Sequence, residues 1–287
     1  MFSPPASDVR VRERRCTICD TPAQGSRALQ YGRAPWHMVR CVACDFVYLP
    51  VVPIYQELVE TLAWERTHPE EAIRRRRAYP IQQWLDAKTR WRLALFPRTQ
   101  PADILNRHGP ASGPVVDVGC GSGEGLRDIS PRFALHGIEI SAVLAARAEE
   151  IAAPSGGRVV QATAAEGMEQ FADGSLAGVI LRSFLEHDAD ARAVIEAVGR
   201  KLRTDGLAIV KVPNYGSLNR RLMGSSWCGF RLPDHVNYFR KRDLARLARQ
   251  FGLDVSFPFL LSLPTDDNFI ALLRPSANRM NAPHTRH

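Results

Sequence analysis

Residues 115–126 read Val-Val-Asp-Val-Gly-Cys-Gly-Ser-Gly-Glu-Gly-Leu, and no other stretch constrains the fold as much. The β-branched run Val115–Val118, with Asp117 set in it, predicts a buried strand. It runs straight into Gly119, Gly121 and Gly123, which predict a tight turn into a helix. Glycine suits such a turn because the backbone can take positive φ and a ligand can approach the main chain closely. A second strand is expected at Ala134–Ile138, ending on Glu139 and followed by Ile140 and Ser141. An acid at the tip of the second strand, about 20 residues past a glycine turn, is where a nucleotide-like ligand has its ribose hydroxyls gripped.

The spacing is G-x-G-x-G, with Glu124 where a dinucleotide fingerprint would place its third glycine. The stretch resembles motif I, D-x-G-C-G-x-G, of the class I S-adenosylmethionine (SAM) methyltransferases, and the likeness extends over residues 106–275. It implies an α/β, Rossmann-like fold with a seven-stranded sheet, and SAM as cofactor. By that resemblance Asp117 orients the methionine amino group. Gly119, Gly121 and Gly123 let the cofactor lie against the turn, and Glu139 binds both ribose hydroxyls. Ile140, Ala164 and Ser183 fall on the cofactor side. The chain departs from the family at Thr163, where an acid usually reaches the adenine; either Glu166 substitutes or backbone groups read the base. It departs again where the fourth strand, Leu176–Leu181, opens with Leu-Ala instead of Phe-Asp. The segment Arg182–His187 is similar to the family's x-x-x-L-E-H stretch beneath the methionine.

The chain has 287 residues and a formal charge of +8. It has no run of about 18 apolar residues, so no membrane span is expected, and its first residues lack the apolar core of a signal peptide. These points predict a soluble, cytoplasmic protein with reduced thiols. Paired cysteines then point to metal. Cys16/Cys19 and Cys41/Cys44 form C-x2-C…C-x2-C with 21 residues between the pairs. Two such turns complete a tetrahedral four-sulfur shell that suits structural Zn²⁺. An iron centre of rubredoxin type, or four unliganded thiols, are the alternatives. A zinc-ribbon-like module of this size, placed at 1–52, buries little core, so metal would supply its folding energy. Between the knuckles, Arg27, Tyr31, Arg33, Trp36 and Arg40 fit either a nucleic-acid reader or a solvated hairpin with packing aromatics.

Residues 53–105 are expected to form a helical connector. Pro69-Glu70-Glu71 starts a helix well, and the run Arg74–Arg77 suits either a polyanion or a solvated face. Pro97–Pro114 is expected to deliver the chain to the first core strand. Further on, a helix over Arg192–Arg203 stops near Asp205-Gly206, and the strand Leu207–Val212 ends at Pro213-Asn214. A helix over Asp243–Phe251, a strand at Leu253–Phe257 and an antiparallel strand at Asn268–Leu273 complete the domain assigned to 106–275. Residues 276–287 are expected to form a flexible tail.

The insert Trp227–Phe239 resembles the W-x-G-x…P-x-H-x-x-Y-F segment of a bacterial methyltransferase subgroup. Members often carry N-terminal C-x2-C knuckles with a C-x-x-C-x-F-V-Y continuation, which Cys41–Tyr48 match. The resemblance implies a small-molecule acceptor, such as a sugar, a secondary metabolite or an envelope precursor. Methyl transfer to a hydroxyl or acidic carbon needs a base, and histidine is suited to that near neutral pH. His235 in the insert and His187 after the fourth strand are the candidates, each weighed against a loop-organising hydrogen bond. Two other readings stay open: an RNA base methyltransferase whose ribbon reads RNA, favoured by the basic balance, and a non-catalytic SAM-fold binding protein.

Overall fold

The computed structural model describes residues 10–32, 36–54, 99–258 and 266–277. The expected connector helices between 55 and 98, the Arg74–Arg77 run and the tail beyond 277 lie outside them.

The described chain begins with five short strands: β1 (Val11–Glu13), β2 (Arg27–Ala28), β3 (Val39–Arg40), β4 (Val47–Tyr48) and β5 (Val51–Pro53). The larger part follows as α1 (Pro101–His108), β6 (Gly113–Val118), β7 (Phe133–Glu139), α2 (Ala142–Ala152), β8 (Val159–Gln161), α3 (Ala164–Glu169) and β9 (Leu176–Arg182). Then come α4 (Ala191–Lys201), β10 (Leu202–Pro213), α5 (Leu218–Met223), β11 (Asn237–Tyr238), α6 (Lys241–Gln250), β12 (Leu253–Ser256) and β13 (Asn268–Pro275).

A seven-stranded sheet runs in the order β12-β13-β10-β9-β6-β7-β8. Strands β6 to β10 pair in parallel, and β13 is antiparallel to both neighbours. This is the Rossmann-like, seven-stranded sheet that the sequence predicts. Its central strands are mostly apolar because both faces are covered, with Asp117 the buried exception in β6. Val116, Val118, Val179 and Leu181 point into one core, while Val115, Ile180, Leu207 and Ile209 point into the other.

The structure differs from the sequence expectation at three places. The glycine turn leads into a single 3₁₀ turn, Glu124–Leu126, not an α-helix. Glycines at 121, 123 and 125 each weaken a helix by about 1 kcal/mol relative to alanine, and Pro131 follows before a helix could extend. The proline-rich approach holds the helix α1, with Pro101 in its first turn and the Gln100 N–H donating to Asp103 Oδ2 at 2.9 Å. It lies close on the sheet because β9 offers Gly178; a Cβ there would stand 2.8 Å from Leu105 Cδ1. Finally, β10 begins at Leu202, and Asp205-Gly206 sits in a register irregularity within it.

The cysteine-bearing segment forms a second sheet, ordered β11-β4-β3-β2. Its outer strand β11 comes from the aromatic insert, with Asn237 opposite Tyr48 and Tyr238 opposite Val47. The two regions also share a core. Trp36, Met38, Val47, Leu49 and Val52 from the N-terminal side pack with Tyr215, Trp227, Phe230, Val236 and Tyr238. Burying each large side chain contributes roughly 1.5–3 kcal/mol, so the small module leans on the insert for its core. On its other side Phe46 packs against Phe239, with ring centroids 5.2 Å apart. Among the described residues no helix is long and apolar enough to cross a membrane.

Candidate functional site

The glycine turn, the tip of β7, the start of α3 and the loop after β9 all lie at the carboxyl edge of the parallel strands, where open α/β sheets bind ligands. Gly119, Gly121 and Gly123 have φ of 71°, 56° and 83°. The turn is anchored to β7, since the N–H groups of Gly119 and Cys120 donate to the Ile138 carbonyl. A Cβ on Gly119 would meet Phe184, and one on Gly123 would meet the backbone of Ala148, whereas one on Gly121 would meet nothing within 4 Å among the described residues. The turn therefore packs on two sides and is open at its middle glycine.

Glu139 accepts from the Gly121 N–H through Oε2 and from the Ser141 N–H through Oε1, both at 2.9 Å. Its carboxylate is thus fixed beside the open glycine, with Ile140 next in the chain. Asp117 is buried at the end of β6. Burial pushes its carboxyl up to about 7 and Glu139 adds to the rise, against the nearby Arg182 guanidinium. A buried acid so poised gains by meeting a cationic ligand group. Ser183 is exposed and held at φ 51°, a left-handed conformation rare for a non-glycine residue and found most at ligand sites.

At α3, the Thr163 side chain caps the helix and Glu166 closes the box, its Oε2 accepting from Thr163 Oγ1 at 2.7 Å. The Glu166 carboxylate is therefore engaged in the cap. The N–H groups of Ala164 and its neighbours begin the helix beside it.

Four titratable groups converge just beyond Ser183. His187 Nδ1 donates to Asp234 Oδ1 at 2.9 Å, and His187 Nε2 lies 3.9 Å from Glu186 Oε1. His235 stands edge-on to His187, ring centroids 4.6 Å apart, and its Nδ1 donates to the Gly229 carbonyl at 2.8 Å. Glu186 and His235 are buried, and among the described residues Glu186 Oε2 has no hydrogen-bond partner. Burial pushes the Glu186 carboxyl up to about 7. Burial also draws His235 well below the usual imidazole range, aided by the charge of His187. For His187 burial acts downward, but the Asp234 hydrogen bond and the charges of Asp234 and Glu186 outweigh it and raise the imidazole. The two histidines are thereby driven apart, His187 toward holding a proton and His235 toward neutrality. Such divergence of neighbouring groups is how acid–base roles are set in one site. Glu186, His187 and His235 also each offer a ligand atom within 4.8 Å of the others.

The four cysteines meet as the spacing expects. Cys16 Sγ lies 3.4 Å from Cys44 Sγ, Cys19 Sγ lies 3.6 Å from Cys41 Sγ, and all four are within 4.8 Å of one another. Four sulfurs about 2.3 Å from a tetrahedral Zn²⁺ would stand about 3.8 Å apart, so the cluster has the dimensions of that shell. The knuckles repeat one geometry. The N–H groups of Asp20 and Asp45 donate to the carbonyls of Cys16 and Cys41, and both aspartates have positive φ.

Residues 90–256, more than half of the chain, match the family described as "Methyltransferase domain". The chain belongs to that family. It is a class I SAM-dependent methyltransferase. Among solved structures the methyltransferase is similar to the YcgJ protein of Bacillus subtilis, at 17% identity over 61% of this chain and 97% of that one, TM-score 0.48. It is also similar to a Thermotoga maritima SAM-dependent methyltransferase described as a possible histamine N-methyltransferase, at 17% identity over 68% and 97% of the two chains, TM-score 0.48. No curated protein matches the methyltransferase.

Asp234 and Glu186 were not among the sequence-derived candidates for chemistry. Asp234 had one local signal, its place directly before His235. Its actual partner, His187, is 47 residues away, and no sequence pattern links the two.

Proposed function

We propose that this methyltransferase transfers the methyl group of SAM to a small-molecule acceptor held over the Glu186–His187–Asp234–His235 cluster. SAM supplies a methyl group on a positively charged sulfur, open to in-line displacement. The open face at Gly121 is where the cofactor would lie, with Gly119 and Gly123 shaping the turn on either side. Glu139, fixed beside it, would take the ribose hydroxyls, and Ile140 would flank them. Asp117 would meet the methionine ammonium, and its burial makes that pairing favourable. Ala164 would offer backbone contact to the adenine, and Ser183 would lie beneath the methionine. Cys16, Cys19, Cys41 and Cys44 would hold a structural Zn²⁺; a closed four-sulfur shell leaves no position for chemistry.

His187 acts as the base from its neutral form, the rise in its proton affinity making it the stronger acceptor of the two imidazoles. Asp234 fixes its ring through Nδ1, which leaves Nε2 as the atom that takes the acceptor proton. His235, buried and neutral, orients the loop through Gly229 and lines the acceptor side.

The observation that carries the small-molecule reading is the fate of three of the five side chains that could have read RNA, both aromatics among them; Arg27 is exposed and Arg33 lies outside the described residues. Trp36 is buried in the shared core, Tyr31 stacks on Phe230 at 5.0 Å, and Arg40 pairs with Asp45 at 2.9 Å. Aromatics used inside a core do not stack on bases. The test is to give the protein labelled SAM with either RNA or a small-metabolite extract. Label is expected in the metabolite fraction; label entering RNA alone would overturn the proposal.

A further inference from the structure

We infer that Arg14 and Asn237 are positioning residues for the His187–Asp234–His235 site, and that through them the cysteine module is a working wall of that site.

Arg14 lies two residues before the first knuckle cysteine. Its guanidinium donates to three separate parts of the chain. Within the module it reaches the Leu49 carbonyl at 2.8 Å and Thr17 Oγ1 at 3.4 Å. In the loop after β9 it reaches the Ala189 carbonyl at 2.9 Å. In the insert it reaches the Val236 carbonyl at 2.9 Å and Asn237 Oδ1 at 2.7 Å. Five donors in a rigid planar fork thus meet five acceptors, a pattern that a lysine ammonium cannot reproduce.

Asn237 completes the junction. Its Oδ1 also accepts from Thr17 Oγ1 at 2.9 Å, and its buried Nδ2 donates to the carbonyls of Leu185 and Asp188 at 2.8 and 2.7 Å. The N–H groups of Val236 and Asn237 both donate to the Glu186 carbonyl. These bonds bracket the reacting groups. Glu186 and His187 lie between Leu185 and Asp188, while Asp234 and His235 directly precede Val236. The pairing of His187 with Asp234 therefore depends on a clamp whose third arm starts between the knuckle cysteines, at Thr17.

The inference rests on the reading of His187 as the proton acceptor, but its test is separate from turnover. In protein labelled with ¹³C-histidine, the His187 resonance, assigned with His187→Gln, is titrated by NMR in wild type, Arg14→Lys, Asn237→Ala and Thr17→Val. Circular dichroism and bound metal serve as folding controls. The variants are expected to keep both controls, while the His187 titration falls toward the value of about 6.5 for a free imidazole. Thr17→Val should show the smallest fall. Folded variants with a wild-type His187 titration would overturn the inference. Should the Arg14 and Asn237 variants not fold, hydrogen exchange on the wild-type protein decides. Removing the module's metal with a chelator should open 41–49 and 232–239 together; opening of 41–49 with 232–239 still protected would overturn it. A His187→Gln protein with full turnover would instead overturn the base assignment and leave the clamp standing.

Discussion

Gly121→Ala should separate binding from folding. Gly121 has φ 56°, and a Cβ built there meets no atom of the described residues within 4 Å. The left-handed backbone costs alanine about 1–2 kcal/mol. Loss of freedom in the unfolded chain returns about 0.4–1 kcal/mol. The net destabilisation is on the order of 1 kcal/mol, a fall in Tm of about 3 °C for a domain of this size. In the proposed placement, the new methyl group would project into the cofactor's space beside Glu139. SAM affinity should fall at least about tenfold, or 1.4 kcal/mol. Gly123→Ala provides the contrast. Its Cβ would stand 2.9 Å from Ala148 Cα, a backbone atom that cannot swing away, so folding should suffer more than in Gly121→Ala. Calorimetric titration with SAM and thermal unfolding measure the two effects. A Gly121→Ala protein that binds SAM with the wild-type Kd would refute the placement of the cofactor on this turn.

The remaining predictions concern charge, metal and support. The raised carboxyl of Asp117 favours its protonated form below about 7, and pairing with an ammonium favours the carboxylate. SAM binding near neutral pH should therefore release a proton, and affinity should weaken by up to about tenfold per pH unit below about 7; titrations in buffers of different ionisation enthalpy detect this, and Asp117→Asn should abolish it. Freshly purified protein should carry one tightly held zinc, lost in Cys16→Ser. A second equivalent that survives Cys16→Ser but not His235→Ala would place metal on Glu186, His187 and His235 and refute His187 as a free base. Asp267→Ala should lower stability by about 1–3 kcal/mol. It removes the acceptor of the buried Trp227 Nε1 at 2.7 Å and of Asn219 Nδ2, so the loss should appear as a fall in Tm.

What could be read from the sequence was whatever is local. The glycine turn, Glu139 and the two knuckles each carry their signal within a few residues; the structure sets Glu139 against the Gly121 N–H and brings the four cysteine sulfurs within 4.8 Å of one another. The central strands announce themselves as apolar runs because both faces are buried. The pairing of the insert with the cysteine-bearing sheet was hidden for a physical reason. β4 and β11 are two residues each, too short for any periodicity, and they pair across the chain only because the aromatics around them share one core. Nor does the Arg14 hub have a sequence signature, since four of its acceptors are backbone carbonyls or an amide oxygen in distant segments. The expected helix after the glycine turn failed because the glycines that open the site also deny it helical propensity.

The pairing of β11 with β4 also imposes an order on biogenesis. The knuckles and their three strands leave the ribosome before the insert, so their sheet lacks its fourth strand until residue 238 has been made. Until then β4 is an open edge beside apolar Trp36, Met38 and Leu49, the kind of edge that recruits foreign strands. Closing it requires contacts nearly two hundred residues apart in sequence, which slows folding. Early metal capture would hold the knuckles in shape through that interval, while chains halted before the insert would remain prone to aggregate.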